Sequence, residues 1–199
     1  MNALEKKRMV SVFKYTWPFY VISAILIGLA FSYTFRLTHR LPAYKKLTLF
    51  ISGEIVDSKN LKKDMLEKYK DKGLESVSYY SAKPTDNEYF TKLSVPGYNS
   101  SDVLIIPLTQ LDVLNVSAFA LDLSDELINE YYPNNILYKQ DSVSYGIKLN
   151  KDKTSNYINL PDEDCYLLLN GKSENLGEYS KNPNKDHDMA LCLLQDWGM

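Results

Sequence analysis

The sequence predicts an α/β protein with an N-terminal transmembrane helix followed by a three-layer α/β sandwich built on a mostly parallel sheet. Residues 15–35 form 21 consecutive positions without a formal charge. After them, β-rich runs alternate with segments of helical periodicity, which is the pattern of βαβ units. Residues 102–107 form a compact apolar run that is typical of a strand buried on both faces of a parallel sheet.

The uncharged run is long enough to cross a bilayer, because a helix needs about 20 apolar residues to span the hydrocarbon core. Tyr15, Trp17, Tyr20 and Tyr33 lie toward its ends, where aromatic rings favour the lipid headgroups. The predicted organisation is a basic cytoplasmic tail at residues 1–14, a signal-anchor helix at 15–35, a juxtamembrane linker at 36–45 and an extracytoplasmic α/β domain at 46–199.

A cleaved signal peptide is the first alternative, since Lys6, Lys7 and Arg8 precede the apolar run. The run exceeds the usual length of a signal-peptide core and no small-residue cleavage pattern follows it, which favours an uncleaved anchor. Charge does not orient the helix, because each flank carries four Lys or Arg residues. Long trailing domains cross membranes largely regardless of charge. We therefore predict a cell-membrane location, with the C-terminal domain outside the cytoplasm of a bacterial cell.

The two parts of the chain differ in charge. Residues 1–46 carry a net charge of +7 and residues 47–199 a net charge of −9. An acidic domain repels phosphate backbones, so nucleic acid is not a predicted partner. The bilayer is the first predicted partner, and a small solute, a transporter permease or another envelope protein are the others.

The elements after the anchor follow in a regular order. Strands are predicted at residues 46–52, 74–81, 102–107, 142–149 and 164–170. Helices are predicted at about 57–72, 85–93, 109–114, 124–132 and 186–197. Asp57 or Ser58 would cap the first of these helices and Gly73 would end it. Thr85 and Glu88 have the spacing of a capping box for the second helix.

Cys165 and Cys192 are the only cysteines, and both stand in strongly apolar surroundings. We interpret them as small buried hydrophobic residues, with a single disulfide as the alternative.

Several short motifs resemble a known family. The run 46–52, the helix after it and the run 101–107 resemble the first lobe of bacterial extracellular solute-binding proteins of the type II periplasmic-binding fold. Residues 144–149 and 166–170 are similar to the strands that follow in that family, and residues 188–194 to its Asp-x-Ala helix. The resemblance implies a reduced, single-lobe and membrane-anchored relative, because about 150 residues are too few for the family's second lobe and its closing cleft.

Ligands of open α/β sheets bind beyond the carboxyl ends of the strands. Ordinary loop and capping roles are the alternative for residues at these positions. The candidate ligand-binding residues at strand ends are Ser52, Gly53, Glu54, Pro107, Thr109 and Gln110. Tyr145 is a further candidate, on the strand that resembles the one by which members of the family leave their first lobe.

The residues offer little for catalysis. His187 is the only histidine of the predicted domain, and its neighbours Asp186 and Asp188 are explained by helix capping. Residues 170–173 match the end of a phosphate-binding loop but lack its first glycine. We therefore predict no catalytic residue, no metal and no cofactor. The predicted function is a non-catalytic binding module, similar to a solute-binding protein. The alternatives are a structural or regulatory single-pass protein that binds a partner protein, and a membrane-tethered enzyme that uses carboxylates.

Overall fold

The computed structural model describes residues 3–38 and 41–198. The chain divides into two compact units, Met1–Leu41 and Pro42–Met199. His39 and Arg40, in the predicted linker, lie outside the described residues.

The first unit is one long helix, α1, which runs from Ala3 to Thr38. It contains the predicted span and continues beyond it at both ends. Within it, Lys14–Phe35 is long and apolar enough to cross a membrane, and none of this segment is buried inside the first unit.

The second unit contains eight strands and six helices among the described residues. The strands are β1 (Lys46–Ile51), β2 (Glu54–Ile55), β3 (Ser76–Ser81), β4 (Val103–Pro107), β5 (Leu137–Gln140), β6 (Val143–Lys148), β7 (Ile158–Asn159) and β8 (Cys165–Leu169). The helices are α2 (Ser58–Lys68), α3 (Tyr89–Lys92), α4 (Tyr98–Ser100), α5 (Leu108–Leu111), α6 (Asp125–Tyr131) and α7 (Met189–Trp197). A single π-helical turn, Leu93–Gly97, joins α3 to α4.

Six strands form one mixed sheet in the order β3-β1-β4-β8-β6-β5. The strands β3, β1, β4 and β6 run in one direction, so the expectation of a mostly parallel sheet agrees with the strand directions. The strand β8 lies between β4 and β6 and is antiparallel to both. A separate antiparallel pair joins β2 to β7.

The sheet is covered on both faces. One face packs against Leu61 and Met65 of α2, Leu127 of α6 and the apolar side of α7. The other face packs against Tyr89 of α3, the π turn and Leu111 of α5. Strand residues alternate between the two cores, and β4 and β8 are buried throughout.

Local chemistry explains several element boundaries. The carboxylate of Asp57 accepts the amide of Asn60 at 3.0 Å and begins α2. Gly73 adopts the left-handed conformation, with a φ of 81°, after the turn that follows α2. The predicted capping box is wrong. Asp86 instead accepts the amide of Lys83, so residues 85–88 form a turn, and α3 begins at Tyr89.

The disulfide alternative is also wrong, because both cysteines are free. Cys165 is buried in β8, and burial raises the pKa of its thiol to about 11. Cys192, on α7, is partly exposed.

Candidate functional site

The predicted strand-end residues follow the carboxyl ends of β1 and β4. Because β1 and β4 are parallel neighbours, Ser52 and Pro107 end up on the same side, and the amide of Ser52 donates to the carbonyl of Ile105 at 2.9 Å. Thr109 and Gln110 follow in the short helix α5. Ser52 and Pro107 therefore lie at neighbouring strand ends, whereas Glu54 belongs to the separate pair of β2 and β7.

Tyr145 does not join them. In the sheet register, Pro107 pairs with Cys165, whereas Gly146 pairs with Leu168. Tyr145 therefore lies about four residues away from Pro107 along the strands. Its buried ring packs in the core on the face of the sheet that is covered by α3 and α5. Its role is packing, which contradicts the prediction that it adds a ring to the pocket.

Ser52 is fully buried, and its hydroxyl lies 2.7 Å from the phenolic oxygen of Tyr89, which is also fully buried. Burial raises the pKa of Tyr89 to about 12, although the hydrogen bond to Ser52 opposes the shift. The tyrosine is neutral at physiological pH, and the two hydroxyls satisfy each other. The hydroxyl of Ser52 is therefore occupied by an internal partner.

Gly53 and Glu54 connect the end of β1 to the two-stranded sheet of β2 and β7. A Cβ atom at Gly53 would lie 2.6 Å from the carbonyl oxygen of Asn159, so only glycine fits the close approach of β7. Glu54 is exposed in β2, and its carboxylate forms an ion pair with Lys83 at 2.6 Å. Both residues have a structural explanation.

Thr109 is held by an acidic loop residue. Its amide and its hydroxyl both donate to the carboxylate of Glu163, at 3.0 and 2.8 Å. The next residue of that loop, Asp164, forms an ion pair with Lys148 at 2.7 Å. Two acidic residues of this loop therefore have partners within the domain, Glu163 in Thr109 and Asp164 in Lys148.

An open groove lies elsewhere in the unit and was missed at the sequence level. It has a volume of about 420 Å³ and is lined by Tyr44, Glu174, Asn182, Pro183, Asn184 and His187. The rings of Tyr44 and His187 stack with centroids 3.9 Å apart and planes 5° apart. The amide nitrogen of Asn184 lies 3.3 Å from Nε2 of His187, which fixes the edge of the imidazole.

The groove combines aromatic, amide and acidic side chains. Two aromatic rings offer a flat apolar contact, and the amides of Asn182 and Asn184 supply donors and acceptors. Glu174 adds one negative charge. No signal in the sequence predicted the groove, because Tyr44 precedes the first strand and its other residues follow the last.

A buried polar cluster ties the loop after β8 to the sheet. The carboxylate of Asp102 accepts the amide of Thr48 at 2.7 Å, the side-chain amide of Asn175 at 3.2 Å and the hydroxyl of Ser173. Burial raises the pKa of Asp102, although these hydrogen bonds oppose the shift. The Oδ1 atom of Asn175 is buried without a hydrogen-bond partner among the described residues. The cluster joins the loop after β8 to the amino ends of β1 and β4.

Within residues 3–38 and 41–198, no group of three His, Cys, Asp or Glu side chains is arranged to hold a metal ion.

Comparisons with known proteins add one distant likeness. No protein-family model matches the chain. No curated protein matches it either. Among solved structures, an ABC substrate-binding protein from Listeria monocytogenes, in complex with cycloalternan, aligns at a TM-score of 0.34 and 18% identity. The alignment covers 56% of this chain and 32% of that protein, so the chain matches about a third of its length. This degree of similarity does not establish a shared fold.

Proposed function

We propose that the chain is a single-pass, membrane-anchored protein whose acidic α/β domain acts by binding, without catalysis, outside the cytoplasm. The observation that carries the anchor is the exposure of an apolar helix. Trp17, Ile27 and Phe31 of α1 are 51%, 69% and 70% exposed. In water this surface would be unfavourable by about 25 cal/mol for each Å² of apolar area, whereas a bilayer accommodates it.

The polar groups of the helix are compatible with a bilayer. Thr16 and Thr34 donate their hydroxyls to the carbonyls of Val12 and Ala30, at 2.7 and 3.0 Å. Such internal hydrogen bonds avoid an unsatisfied donor in hydrocarbon. Together with the aromatic residues near both ends, they support the anchor over a cleaved signal peptide.

The groove lined by Tyr44 and His187 is the best-supported binding site of the domain. Its volume of about 420 Å³ suits a small solute. Glu174 and the net charge of −9 over residues 47–199 disfavour anions. We infer a neutral or cationic solute that carries hydrogen-bonding groups and one flat apolar face, which would lie against the stacked rings.

Membrane extraction tests the anchor. The full chain should stay in the membrane pellet after an alkaline carbonate wash, at the mass of the uncleaved sequence. A cysteine placed at Lys139 should react with an impermeant thiol reagent on intact cells, while one placed at Asn2 should not. Recovery in the supernatant, or the reverse labelling pattern, would contradict the proposal.

A thermal-shift screen of the full chain in detergent tests the groove. The probes are neutral sugars, amino acids and short basic peptides at millimolar concentration. A solute at 100 times its Kd stabilises the folded state by about 2.7 kcal/mol. Tyr44→Ala and Asn184→Ala should abolish that shift. Asn87→Ala, at an exposed turn outside the groove, should retain it.

A second candidate function is supported by the internal hydrogen bonds of Ser52 and Thr109, which follow the ends of β1 and β4. Because Ser52 and Tyr89 satisfy each other in the core, the hydroxyl of Ser52 is not free for a ligand. This supports the alternative of a single-pass protein that binds an envelope protein or a transporter permease. If no probe shifts the melting temperature and the groove variants behave as the wild type, this second function is favoured.

A further inference from the structure

The strand β3 is an open edge of the six-stranded sheet. It pairs with β1 through six consecutive residues, from Ser76 opposite Lys46 to Ser81 opposite Ile51. On its other side, no backbone hydrogen bond reaches it from the rest of the described chain. An edge of this kind offers a row of free amides and carbonyls.

The hydrogen-bond alternation shows which residues face outward. The amide of Ala82 donates to the carbonyl of Ile51 at 3.1 Å, so the even-numbered residues of this strand direct their backbone groups toward β1. The backbone groups of Val77, Tyr79 and Ser81 therefore point to the open side.

This edge lacks the features that usually prevent pairing. β3 has the sequence Ser-Val-Ser-Tyr-Tyr-Ser, with no charge and no proline, and its register is unbroken. The opposite edge strand, β5, contains Lys139 and a register shift between Tyr138 and Lys139. One edge of the sheet is protected and the other is not.

We propose that β3 is an interface with a second copy of this chain, formed by antiparallel pairing of the two β3 strands around a two-fold axis at Tyr79. In this register Tyr79 lies opposite its own copy and Val77 lies opposite Ser81. All three outward residues then exchange hydrogen bonds, and the exposed Ser78 and Tyr80 face each other across the strands.

Charge complementarity at the ends of the strand supports a second copy as the partner. Glu75 and Lys83 flank β3 on either side. If the pairing direction continues past the ends of the strand, the side chain of Glu75 in each copy would lie near that of Lys83 in the other. Each of these side chains already has one partner of opposite sign, since Glu75 pairs with Lys45 at 2.5 Å and Lys83 with Glu54 at 2.6 Å. The dimer would add a second attractive contact at both ends. A register shifted by two residues, with Ser78 opposite its own copy, would lose both contacts.

Disulfide trapping of the full chain tests the interface, in whichever cell fraction holds the protein. Residues paired in this way have Cα atoms about 5.5 Å apart, which a disulfide can bridge. Under mild oxidation, Tyr79→Cys should give a covalent dimer. Ser76→Cys is the matched control, because its copy would lie about 20 Å away. All variants also carry Cys192→Ser, because Cys192 is free and partly exposed, whereas Cys165 is buried. This background without a new cysteine should not dimerise.

Charge reversal in the Tyr79→Cys chain gives a second readout of the same register. Glu75→Lys should reduce the trapped dimer several-fold, since it places two lysines opposite each other. Adding Lys83→Glu to the same chain should restore the dimer. Equal trapping at positions 76 and 79, preferential trapping through Ser78→Cys, no trapping, or trapping to a different protein would overturn the proposal.

Discussion

Thr48 and Asp102 hydrogen-bond each other in both directions. The amide of Asp102 donates to the carbonyl of Thr48 at 2.7 Å, and the carboxylate of Asp102 accepts the amide of Thr48 at the same distance. Asp102, which precedes β4, thereby links β1 and β4 near their amino ends. The loop residues Ser173 and Asn175 dock onto the same carboxylate.

Asp102→Ala should destabilise the domain by about 3 kcal/mol, because three buried donors lose their acceptor. The measurement is denaturant unfolding of the full chain in detergent, followed by the fluorescence of Trp197. Glu174→Ala, an exposed neighbour in the same loop, should change the free energy of unfolding by less than about 0.5 kcal/mol. Equal effects of the two substitutions would contradict the assigned role.

The same carboxylate predicts a pH dependence. Because the pKa of Asp102 is raised in the folded state, the folded state binds more protons than the unfolded state between the ordinary and the raised values. The stability of the wild type relative to Asp102→Asn should therefore be greatest in acid and should fall as pH increases through that window. Paired unfolding curves at several pH values measure the difference. A difference that grows with pH would refute it.

The buried Tyr89 and the partly buried Tyr98 should respond differently to loss of their hydroxyls. Tyr89→Phe leaves the buried hydroxyl of Ser52 without its partner and should cost about 1 kcal/mol. The phenolic oxygen of Tyr98 is buried and has no hydrogen-bond partner within the described parts of the chain. Tyr98→Phe should therefore be neutral or stabilising, since the ring can keep its stack on Phe119. Equal unfolding midpoints for the two variants would count against this arrangement.

Gly53→Ala should destabilise the domain by about 2 kcal/mol, because the new methyl group would overlap the carbonyl of Asn159. Gly171→Ala is the matched control, since its nearest atom would lie at an ordinary contact distance of 3.7 Å. Thermal unfolding compares the two variants. If the glycines prove equally tolerant, the close approach of β7 is not required.

The anchor should be sensitive to charge at its centre. Ile25→Arg places a charge in the middle of the apolar segment, where insertion scales assign a cost of about 2.5–3.5 kcal/mol. The fraction of the chain that resists carbonate extraction should fall, while Ile25→Leu should leave it unchanged. Unaltered extraction of the arginine variant would argue against a membrane-spanning role.

The predictable elements are those with local signals. Two elements were predicted closely: the helix that begins after Asp57, and the strand β4. Their signals, a helix cap and a run of buried residues, act over a few residues. The strand β5 was missed, since Lys139 and Gln140 give it the composition of a loop. The insertion of β8 between β4 and β6 depends on pairing across the whole domain, which no local pattern reports.

The candidate site was less predictable than the fold. A polar residue after a strand does not show where its side chain will find a partner, and Ser52 found one in Tyr89. The groove depends on the contact between Tyr44 and His187, which come from opposite ends of the domain. Such contacts arise only from tertiary packing.

The central position of β8 also has a consequence for biosynthesis. The three-strand half β3-β1-β4 and the hairpin β5-β6 touch within the sheet only through this strand, which is the last of the eight. During synthesis, β4 and β6 therefore each have one unpaired side until residues 165–169 have left the ribosome. Only then can the two halves of the sheet join. Any nascent chain released before Cys165 would expose those two edges to aggregation.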